Sequence, residues 1–361
     1  MSATSKFDRE KRLTALAELA RQRLAPTEAE LAQIFLGAYF HRVPSDDLAR
    51  LNPEALYASA LSHLDLARQR QPGQPLLRAY NPTETQAGGT NPHTVVEAVV
   101  DDMAFLVDSA SMVLNRLGYT IHLTIHPVLD VSRDNNGNLI ALNHRSADAR
   151  HESFLCFHIS RESRGERLDT IIYELTRVLS EVSAANTDDM AMGELALSLA
   201  HNLDSAHMPG DDETRSEAAA LCRWIAQENF TFLGAVRYEK SSDNDDLLSP
   251  KATSALGILR PRDGLDLIER LSVLPESTAA DLKDTDPVMI TKSSKRSLVH
   301  RPAYMDVLFV RHWNASGQLT GETCLVGLFS AGAYNRSVVD IPGSRQKLQH
   351  VLTRSGLPEQ G

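Results

Sequence analysis

The spacing of apolar residues divides the chain into helical and strand-like stretches. In residues 1–72 apolar side chains recur every three or four positions, which predicts helices. One predicted helix ends before Pro44, because proline cannot continue a helical hydrogen-bond ladder, and another begins at Pro53, a favoured first-turn residue. Prolines and a glycine within residues 71–75 then interrupt the pattern. We therefore predict a helical N-terminal segment over residues 1–72.

After this interruption the period becomes alternating, which is typical of half-buried strands. The elements predicted next are strands at 94–100, 121–131 and 154–160, and helices at 101–118 and 168–179. This β-α-β-β-α order lacks one strand of a ferredoxin-like sheet. We assign that place to residues 76–80, antiparallel to the strand at 94–100. The predicted ferredoxin-like domain covers residues 73–184.

The remaining sequence predicts a linker and a second sheet. Residues 185–213 are polar and are expected to form a helical linker. Within residues 214–361, the pattern predicts a helix, four strands and a closing helix, and the predicted strands lie at 230–238, 287–291, 304–311 and 320–328. Their succession favours an antiparallel meander with helices on one face. The fold class predicted for the whole chain is α+β.

Charge and cysteine content narrow the classes of function. The chain has 361 residues, a net charge of −10 and a pI near 5.7. An acidic surface disfavours nucleic acid or an anionic membrane as a partner, because both require a basic face. The three cysteines are far apart, so they predict neither a disulfide framework nor a CxxC metal site. A polar N-terminus and the lack of a long apolar run predict a cytoplasmic protein.

Motifs for an independent enzyme are missing from the sequence. It has no GxGxxG or GxxxxGK[ST] loop to hold a nucleotide, and Ser330 lies in GxxSxG rather than in a GxSxG nucleophile elbow. His122 and His126 lie four residues apart in a predicted strand, a separation of about 13 Å, whereas zinc ligands lie about 2 Å from the metal. We predict no metal site and no catalytic residue.

The sequence suggests a ligand site where the helix at 101–118 begins. Asp101 and Asp102 can cap the free N–H groups of this helix and complement its dipole, which is the ordinary structural role of such acids. The same N–H groups can instead bind a small ligand, since a strand-to-helix loop presents them at its surface. Both interpretations remain open at the level of sequence.

A basic run in the second half is a candidate anion site. Its members are Lys292, Lys295, Arg296, His300 and Arg301. Such side chains can bind a phosphate or a carboxylate. Solvated side chains paired with the acidic remainder of the protein are the alternative, and we favour it about two to one.

Several long motifs resemble one family. HTVVEAVVDDMAFLVDS with IHLTIHPVLDVSRD, TKSSKRSLVHRPAYMD with LVGLFSAGAYNRS, and FHRVPSDDL are similar to the N-terminal region of the large-subunit class of NAD-specific glutamate dehydrogenases. The family's loop usually reads DDMPF, and Ala104 replaces that proline here. The aromatic residue that usually precedes HTVVE is missing from residues 86–90.

The resemblance implies a regulatory role. It makes the domain at 73–184 an ACT domain, a small-ligand module, and the one at 214–361 a PAS-like domain. The implied effector contacts are Asp102, Met103, Ala104, Phe105, His122 and Thr124. The family's catalytic domain, which uses NAD, lies far C-terminal to the matched region, so we expect no cofactor in this chain. Homo-oligomers, that catalytic domain and a small effector are the expected partners; a purely structural assembly module is the alternative.

Overall fold

The computed structural model describes residues 3–50, 52–83, 92–143, 149–205, 211–240, 248–262 and 286–355. The chain divides into two units, Met1–Ser180 and Glu181–Gly361. Each unit combines helices with an antiparallel sheet, which confirms the predicted α+β class. Residues 86–90, where the family's aromatic residue is missing, lie outside the described residues. Among the helices that are described, none has the length and apolar character needed to cross a membrane.

Helices precede the sheet in unit 1, as predicted. They are α1 (Ala3–Arg23), α2 (Pro26–Tyr39), α3 (Ser45–Arg50) and α4 (Pro53–Leu66). The helix α4 begins at Pro53, and the side chain of Asn52 accepts a hydrogen bond from the Glu54 N–H at 2.9 Å. This cap satisfies one of the N–H groups that a helix start leaves unpaired.

The sheet of unit 1 has the connectivity of a split β-α-β motif. Its elements are β1 (Leu76–Tyr80), β2 (His93–Asp101), α5 (Leu106–Arg116), β3 (Ile121–Ile125), β4 (Val128–Arg133), β5 (Leu139–Leu142) and β6 (Arg150–Ser160). The strand order is β1-β2-β6-β4-β5, and β3 also pairs with β6. Because β2 and β3 flank β6 and are both antiparallel to it, they run parallel to each other and α5 is their crossover. The predicted antiparallel pairing of 76–80 with the following strand is confirmed, with Leu76 opposite Val99.

Two predicted element boundaries in unit 1 were wrong. The helix expected from residue 101 begins at Leu106, because β2 continues through Asp101 opposite Glu152. The long strand expected at 121–131 is interrupted between Ile125 and Val128. Pro127 lies at this interruption, and it has no N–H to donate to a ladder.

The core of unit 1 lies between its sheet and the preceding helices. Buried side chains of α2 and α4 pack against the sheet face that carries Val95, Phe154 and Cys156. The rings of Phe35 and Phe154 meet edge to face at 5.2 Å, a favoured aromatic geometry. The helical segment and the sheet therefore share one hydrophobic core.

Unit 2 contains the predicted antiparallel meander. Its elements after the long helix α6 (Gly165–Ser205) are α7 (Asp212–Trp224), a π-helical turn (Ile225–Asn229), β7 (Phe230–Lys240), β8 (Leu248–Pro250), β9 (Leu256–Gly257), β10 (Val288–Arg296), β11 (Tyr304–Trp313), β12 (Leu319–Phe329), α8 (Ala331–Tyr334) and α9 (Ser344–Ser355). The strand order β10-β11-β12-β7-β8 places the meander beside β7. Side chains of α7 pack on the face that carries Leu308 and Leu325.

The helix α6 (Gly165–Ser205) is longer than predicted. The periodic pattern ends at residue 179, and 185–213 were expected to form a separate helical linker; residues 185–205 are helical and continue the same helix. Asp188, on this continuation, is 5% exposed and accepts hydrogen bonds from Arg260 and from the Gly257 N–H at 2.7 Å. These partners stabilise a polar helical stretch within unit 2.

All three cysteines are free and buried. Cys156 lies on β6 in unit 1, and Cys222 and Cys324 lie on α7 and β12 in unit 2. Burial raises the pKa of the Cys222 thiol to about 12 and raises the pKa of the other two as well. All three are therefore uncharged thiols near neutral pH.

Candidate functional site

The two acids of the predicted loop do not cap the helix that follows them. Asp101 accepts hydrogen bonds from the Arg70 guanidinium at 2.9 Å and from the Gly73 N–H at 2.7 Å. Asp102 Oδ1 accepts a hydrogen bond from the Ser153 hydroxyl at 2.6 Å. Phe105 occupies the N-cap position of α5 with φ of 71°, and its side chain makes no capping hydrogen bond. The capping interpretation was therefore wrong, since both carboxylates bind groups on other segments.

Arg70 and Asp101 belong to a set of ion pairs in which Asp101 is partly exposed and the other members are buried. Arg70 Nη1 lies 3.0 Å from Glu152 Oε1, and Arg133 donates two hydrogen bonds to the same carboxylate at 2.7 and 2.8 Å. Arg70 and Glu152 are 2% and 1% exposed. This set joins the segment after α4 to β2, β4 and β6, so it has a structural role.

His122 lies far from the predicted loop. It is at an irregularity in the pairing of β3 with the end of β6, beside Ile159, whereas the loop leaves β2 beside Glu152. Seven residues of β6 separate those two positions, a distance of about 23 Å at a rise of about 3.3 Å per residue. The structure therefore does not bring His122 together with Asp102, Met103, Ala104 and Phe105.

Three histidines come together at that end of the sheet. The ring centroid of His122 lies 4.4 Å from that of His93, with the two ring planes tilted by 32°, and the ring centroid of His158 lies 6.2 Å from that of His93. Burial, together with the neighbouring His93 and His122, lowers the pKa of His158 to about 4. Among the described residues these three side chains do not belong to a group whose metal-ligating atoms converge, so the arrangement is a packed histidine cluster.

Asp102 belongs to a chain of hydrogen bonds that the sequence did not predict. The Ser153 hydroxyl, which donates to Asp102, is 2.9 Å from Nε2 of His126. His126 and Thr124 line a cavity of about 250 Å³ beside the turn that follows α2. The sequence spacing excludes His126 as a zinc ligand together with His122 and favours an exposed or interface histidine, and Ser153 belongs to no motif. Their association depends on strand register, which residue spacing does not reveal.

A second polar network lies inside unit 1. His63, Glu97 and Cys156 form the one group, among the described residues, whose potential metal-ligating atoms lie within 4.8 Å of one another. The Nε2–H of His63 donates to the carbonyl oxygen of Ala98 at 3.2 Å, and its Nδ1 accepts from the Tyr39 hydroxyl at 2.9 Å. Both ring nitrogens are thus engaged.

The other members of this network are engaged as well. Arg78 binds the Glu97 carboxylate at 2.6 Å, and the Tyr80 hydroxyl donates to it at 3.2 Å. Burial raises the pKa of the Cys156 thiol, which keeps it protonated, and it hydrogen-bonds to Tyr39. A metal needs deprotonated ligands with free lone pairs. The residues present therefore form a hydrogen-bonded core rather than a metal centre.

In unit 2 the basic run is dispersed among separate partners. Lys292 pairs with Asp306 at 2.6 Å. The Arg296 guanidinium lies over the Tyr304 ring at 5.1 Å, and Arg301 donates to the carbonyl oxygen of Phe329 at 2.5 Å. His300 has a positive φ of 68°. These contacts give Lys292, Arg296 and Arg301 structural roles, and anion binding by this run stays a prediction.

Unit 2 also contains a cavity of about 390 Å³ between the last turns of α6 and the ends of β11 and β12. Its basic side chains have partners, since Arg237 pairs with Glu239 at 3.3 Å and His312 hydrogen-bonds to Thr323 at 2.8 Å. Burial, together with the charge of Arg237, lowers the pKa of His312 to about 4. Nearby on β12, burial raises the pKa of Glu322 to about 7, while Arg311 opposes the shift.

Comparisons with known proteins identify the relatives of this chain. Residues 35–175, which run from within α2 into α6, match the family described as glutamate dehydrogenase, ACT1 domain. The NAD-specific glutamate dehydrogenase of Halomonas elongata is 31% identical over 359 residues, or 97% of this chain. The chain is a relative of the NAD-specific glutamate dehydrogenases. This confirms the resemblance seen in its motifs.

Further glutamate dehydrogenases give the same result. The enzyme of Pseudomonas aeruginosa is 31% identical over 98% of the chain, and that of Mycobacterium tuberculosis is 24% identical over 89%. The chain spans 22% of the first two of these proteins and 19% of the third. It therefore corresponds to about a fifth of the length of the relatives it matches.

Proposed function

We propose that this chain is a regulatory region of an NAD-specific glutamate dehydrogenase and that unit 1 senses a small effector. The observation that supports this most directly is the split β-α-β sheet of unit 1, which lies within the segment matching the glutamate dehydrogenase ACT1 domain. In the family that the motifs resemble, this domain is a small-ligand module. Unit 2 would then take the place of the PAS-like domain.

Catalysis is assigned to residues outside this chain. The relatives are named NAD-specific glutamate dehydrogenases, so we propose that the whole protein converts L-glutamate, NAD and water to 2-oxoglutarate, ammonium and NADH. The sequence of this chain has no dinucleotide-binding fingerprint, and its candidate polar clusters are engaged in structural contacts. We expect the chain alone, mixed with L-glutamate and NAD, to produce no NADH; steady NADH formation would contradict a non-catalytic role.

Effector sensing acts through a difference in affinity. A ligand changes the balance between two arrangements of a protein only by the amount that it prefers one of them. Isothermal calorimetry of the 361-residue chain with a panel of amino acids tests whether unit 1 binds such a ligand. Saturable heat with at least one amino acid is the expected result, and silence across the whole panel would remove the sensing proposal.

Subunit assembly is a second candidate, favoured by apolar side chains on the surface of unit 2. Tyr334, Val338, Val339 and Val351 are between 49% and 63% exposed, and α9 has no buried residue. Exposed apolar groups of this kind occur where another surface packs. The proposed partners are further copies of the chain or the catalytic domain of the same protein. Sedimentation analysis without ligand tests this, because an assembly module should form oligomers unaided.

A further inference from the structure

The cavity beside the turn after α2 is lined by both basic and apolar residues. Its polar lining comes from His41, Arg42, Thr124, His126 and Asn143. Its apolar lining comes from Ala38, Val43, Pro127, Val128 and Leu129, together with parts of Tyr39 and Ile125. None of the described residues that line the cavity is acidic. The cavity measures about 250 Å³, which is slightly below the usual range for drug-sized ligands and suits a small metabolite.

Arg42 supplies the positive charge of this cavity. Within the described residues its guanidinium makes no hydrogen bond and no ion pair, in contrast to Arg70, Arg78 and Arg133 of the same unit. Asn143, also part of the lining, has φ of 51°, and its N–H donates to the carbonyl oxygen of Asp130 at 2.7 Å. A guanidinium without a protein partner is suited to a planar anion, because its parallel N–H groups match the two oxygens of a carboxylate.

Hydrogen bonding fixes which nitrogen of His126 remains for a ligand. A serine hydroxyl has one hydrogen, and that of Ser153 is donated to Asp102. The Ser153 oxygen therefore accepts from the Nε2–H of His126. This leaves Nδ1, which can accept a hydrogen bond in the neutral ring or donate one after the ring is protonated.

The surroundings of His126 make its charge responsive to an anion. Burial lowers its pKa, the carboxylate of Asp102 opposes this, and the charge of Arg42 lowers the pKa again. The neutral ring is thus favoured while the cavity holds no anion. A carboxylate beside Nδ1 would favour the protonated ring, because an opposite charge stabilises the charged form.

We propose that this cavity binds a short organic carboxylate, with Arg42 holding the carboxylate group and His126 taking up a proton as the ligand binds. Val43, Pro127 and Leu129 would contact the aliphatic part of the ligand, a role that inorganic phosphate does not fill. The inference rests on the proposed regulatory function and names the chemical class of the effector. Ser153 and Asp102 then connect the ligand directly to the loop before α5.

The test compares two charge-neutralising variants of the full 361-residue chain. Succinate, L-alanine and 2-oxobutyrate serve as carboxylate probes, and inorganic phosphate serves as the other anion, all measured by calorimetry. Arg42→Gln is expected to weaken carboxylate binding at least ten-fold. Arg177→Gln removes the same charge from α6, outside the cavity lining, and is expected to leave the dissociation constant within about two-fold. Thermal melting of both variants checks that they fold.

Proton uptake provides a second readout. Binding heats measured in two buffers with different ionisation enthalpies should reveal uptake of up to one proton per ligand, and binding should strengthen as pH falls toward 6. The His126→Gln variant keeps a side-chain amide able to donate to Ser153 and is expected to show neither effect.

The possible outcomes separate this inference from the proposed function. Carboxylate binding that is equal in the Arg42→Gln and Arg177→Gln variants would overturn the cavity assignment and leave effector sensing intact. Tighter binding of phosphate that depends on Arg42 would overturn the carboxylate assignment. Silence with all the probes would overturn the inference, whereas sensing itself fails only if the broader amino-acid panel is also silent.

Discussion

At the scale of single residues, Arg78 illustrates how a buried acid depends on one cation. Glu97 is fully buried, and Arg78 binds its carboxylate at 2.6 Å and the hydroxyl of Ser62 at 2.7 Å. Removing the cation leaves a buried carboxyl group whose remaining side-chain partner in the described residues is the Tyr80 hydroxyl. Such a loss is much more costly than the loss of an exposed ion pair.

We therefore predict that Arg78→Met lowers the free energy of unfolding by about 3 kcal/mol. Arg68→Met is the matched control, since its guanidinium pairs with Asp65 at 3.4 Å on the surface and should cost less than about 1 kcal/mol. Urea unfolding measures both. The double variant Arg78→Met/Glu97→Met should recover part of the loss, and equal losses in the two single variants would contradict this account.

Because His63 is buried, we predict that the free energy of unfolding depends on pH. Burial lowers its pKa to about 3, while the hydrogen bond to Ala98 opposes this shift and the charge of Arg78 adds to it. The unfolded chain has an ordinary histidine pKa of about 6.5, so it binds more protons than the folded chain between the two values. The contribution of His63 is fully present above pH 6.5 and is lost as pH falls toward 3.

The expected slope from His63 is up to about 1.4 kcal/mol per pH unit in that window. Urea unfolding at pH 7 and at pH 5 compares the native chain with His63→Gln. Between the two pH values the free energy of unfolding should fall less in the variant than in the native chain. Because other titrating groups are the same in both proteins, the difference between the two losses reports His63 alone. Parallel losses would show that His63 is not protonated on unfolding.

Sequence analysis found the candidate site only in part, and the reason lies in long-range pairing. The acids at 101 and 102 are visible as a motif, but their partners Arg70 and Ser153 lie 31 and 51 residues away in the chain. Local patterns indicate that a carboxylate begins a loop and do not indicate which strand approaches it. The cavity between α2 and the β3–β4 break was missed for the same reason.

At the scale of elements, helices and strands whose apolar residues follow a strict period were predicted well. The β1–β2 pairing and the β10–β12 meander follow from alternation and from turn residues. The stretch at 185–213 was expected to be a separate helical linker, because polar residues at 186–189 weaken the periodic pattern and are unfavourable in an isolated helix, whereas 185–205 continue α6. In the folded chain Asn186 donates to the carbonyl oxygen of Val182, and Asp188 binds Arg260. Tertiary partners outweigh local propensity here.

The turn between β4 and β5 provides an element-scale prediction. Gly137 has φ of 83°, and a Cβ placed there would lie 2.5 Å from the carbonyl oxygen of Arg70. The Gly73 φ is similar at 79°, yet a Cβ there would meet no atom within 4 Å. Substitutions at the two glycines can therefore distinguish the cost of backbone strain from the cost of steric overlap.

We predict that Gly73→Ala costs about 1 kcal/mol, from the positive φ alone. Gly137→Ala should cost about 1 to 3 kcal/mol more, because the Arg70 backbone must also move. Thermal and urea unfolding of both variants measure the difference. If the two substitutions cost the same, the close approach between Gly137 and Arg70 does not exist in solution.

At the scale of the whole molecule, the chain consists of two units that each have their own sheet and core residues. Unit 1 contains the segment that matches the ACT1 domain and the proposed carboxylate cavity. Unit 2 contains the exposed apolar side chains proposed for assembly. Sensing and assembly are thus proposed for different units, and substitutions in one can be designed without touching the site in the other.

The reactivity of the buried thiols can report the transient opening of each unit separately. Alkylating reagents attack the thiolate, so Cys156 and Cys324, both at 0% exposure, should react only after the surrounding strands separate. Mass spectrometry after timed exposure to a maleimide, with peptides resolved by digestion, would follow the two positions in one sample. A carboxylate that binds unit 1 should slow the labelling of Cys156 and leave that of Cys324 unchanged, so a native side chain can serve as the readout of ligand binding.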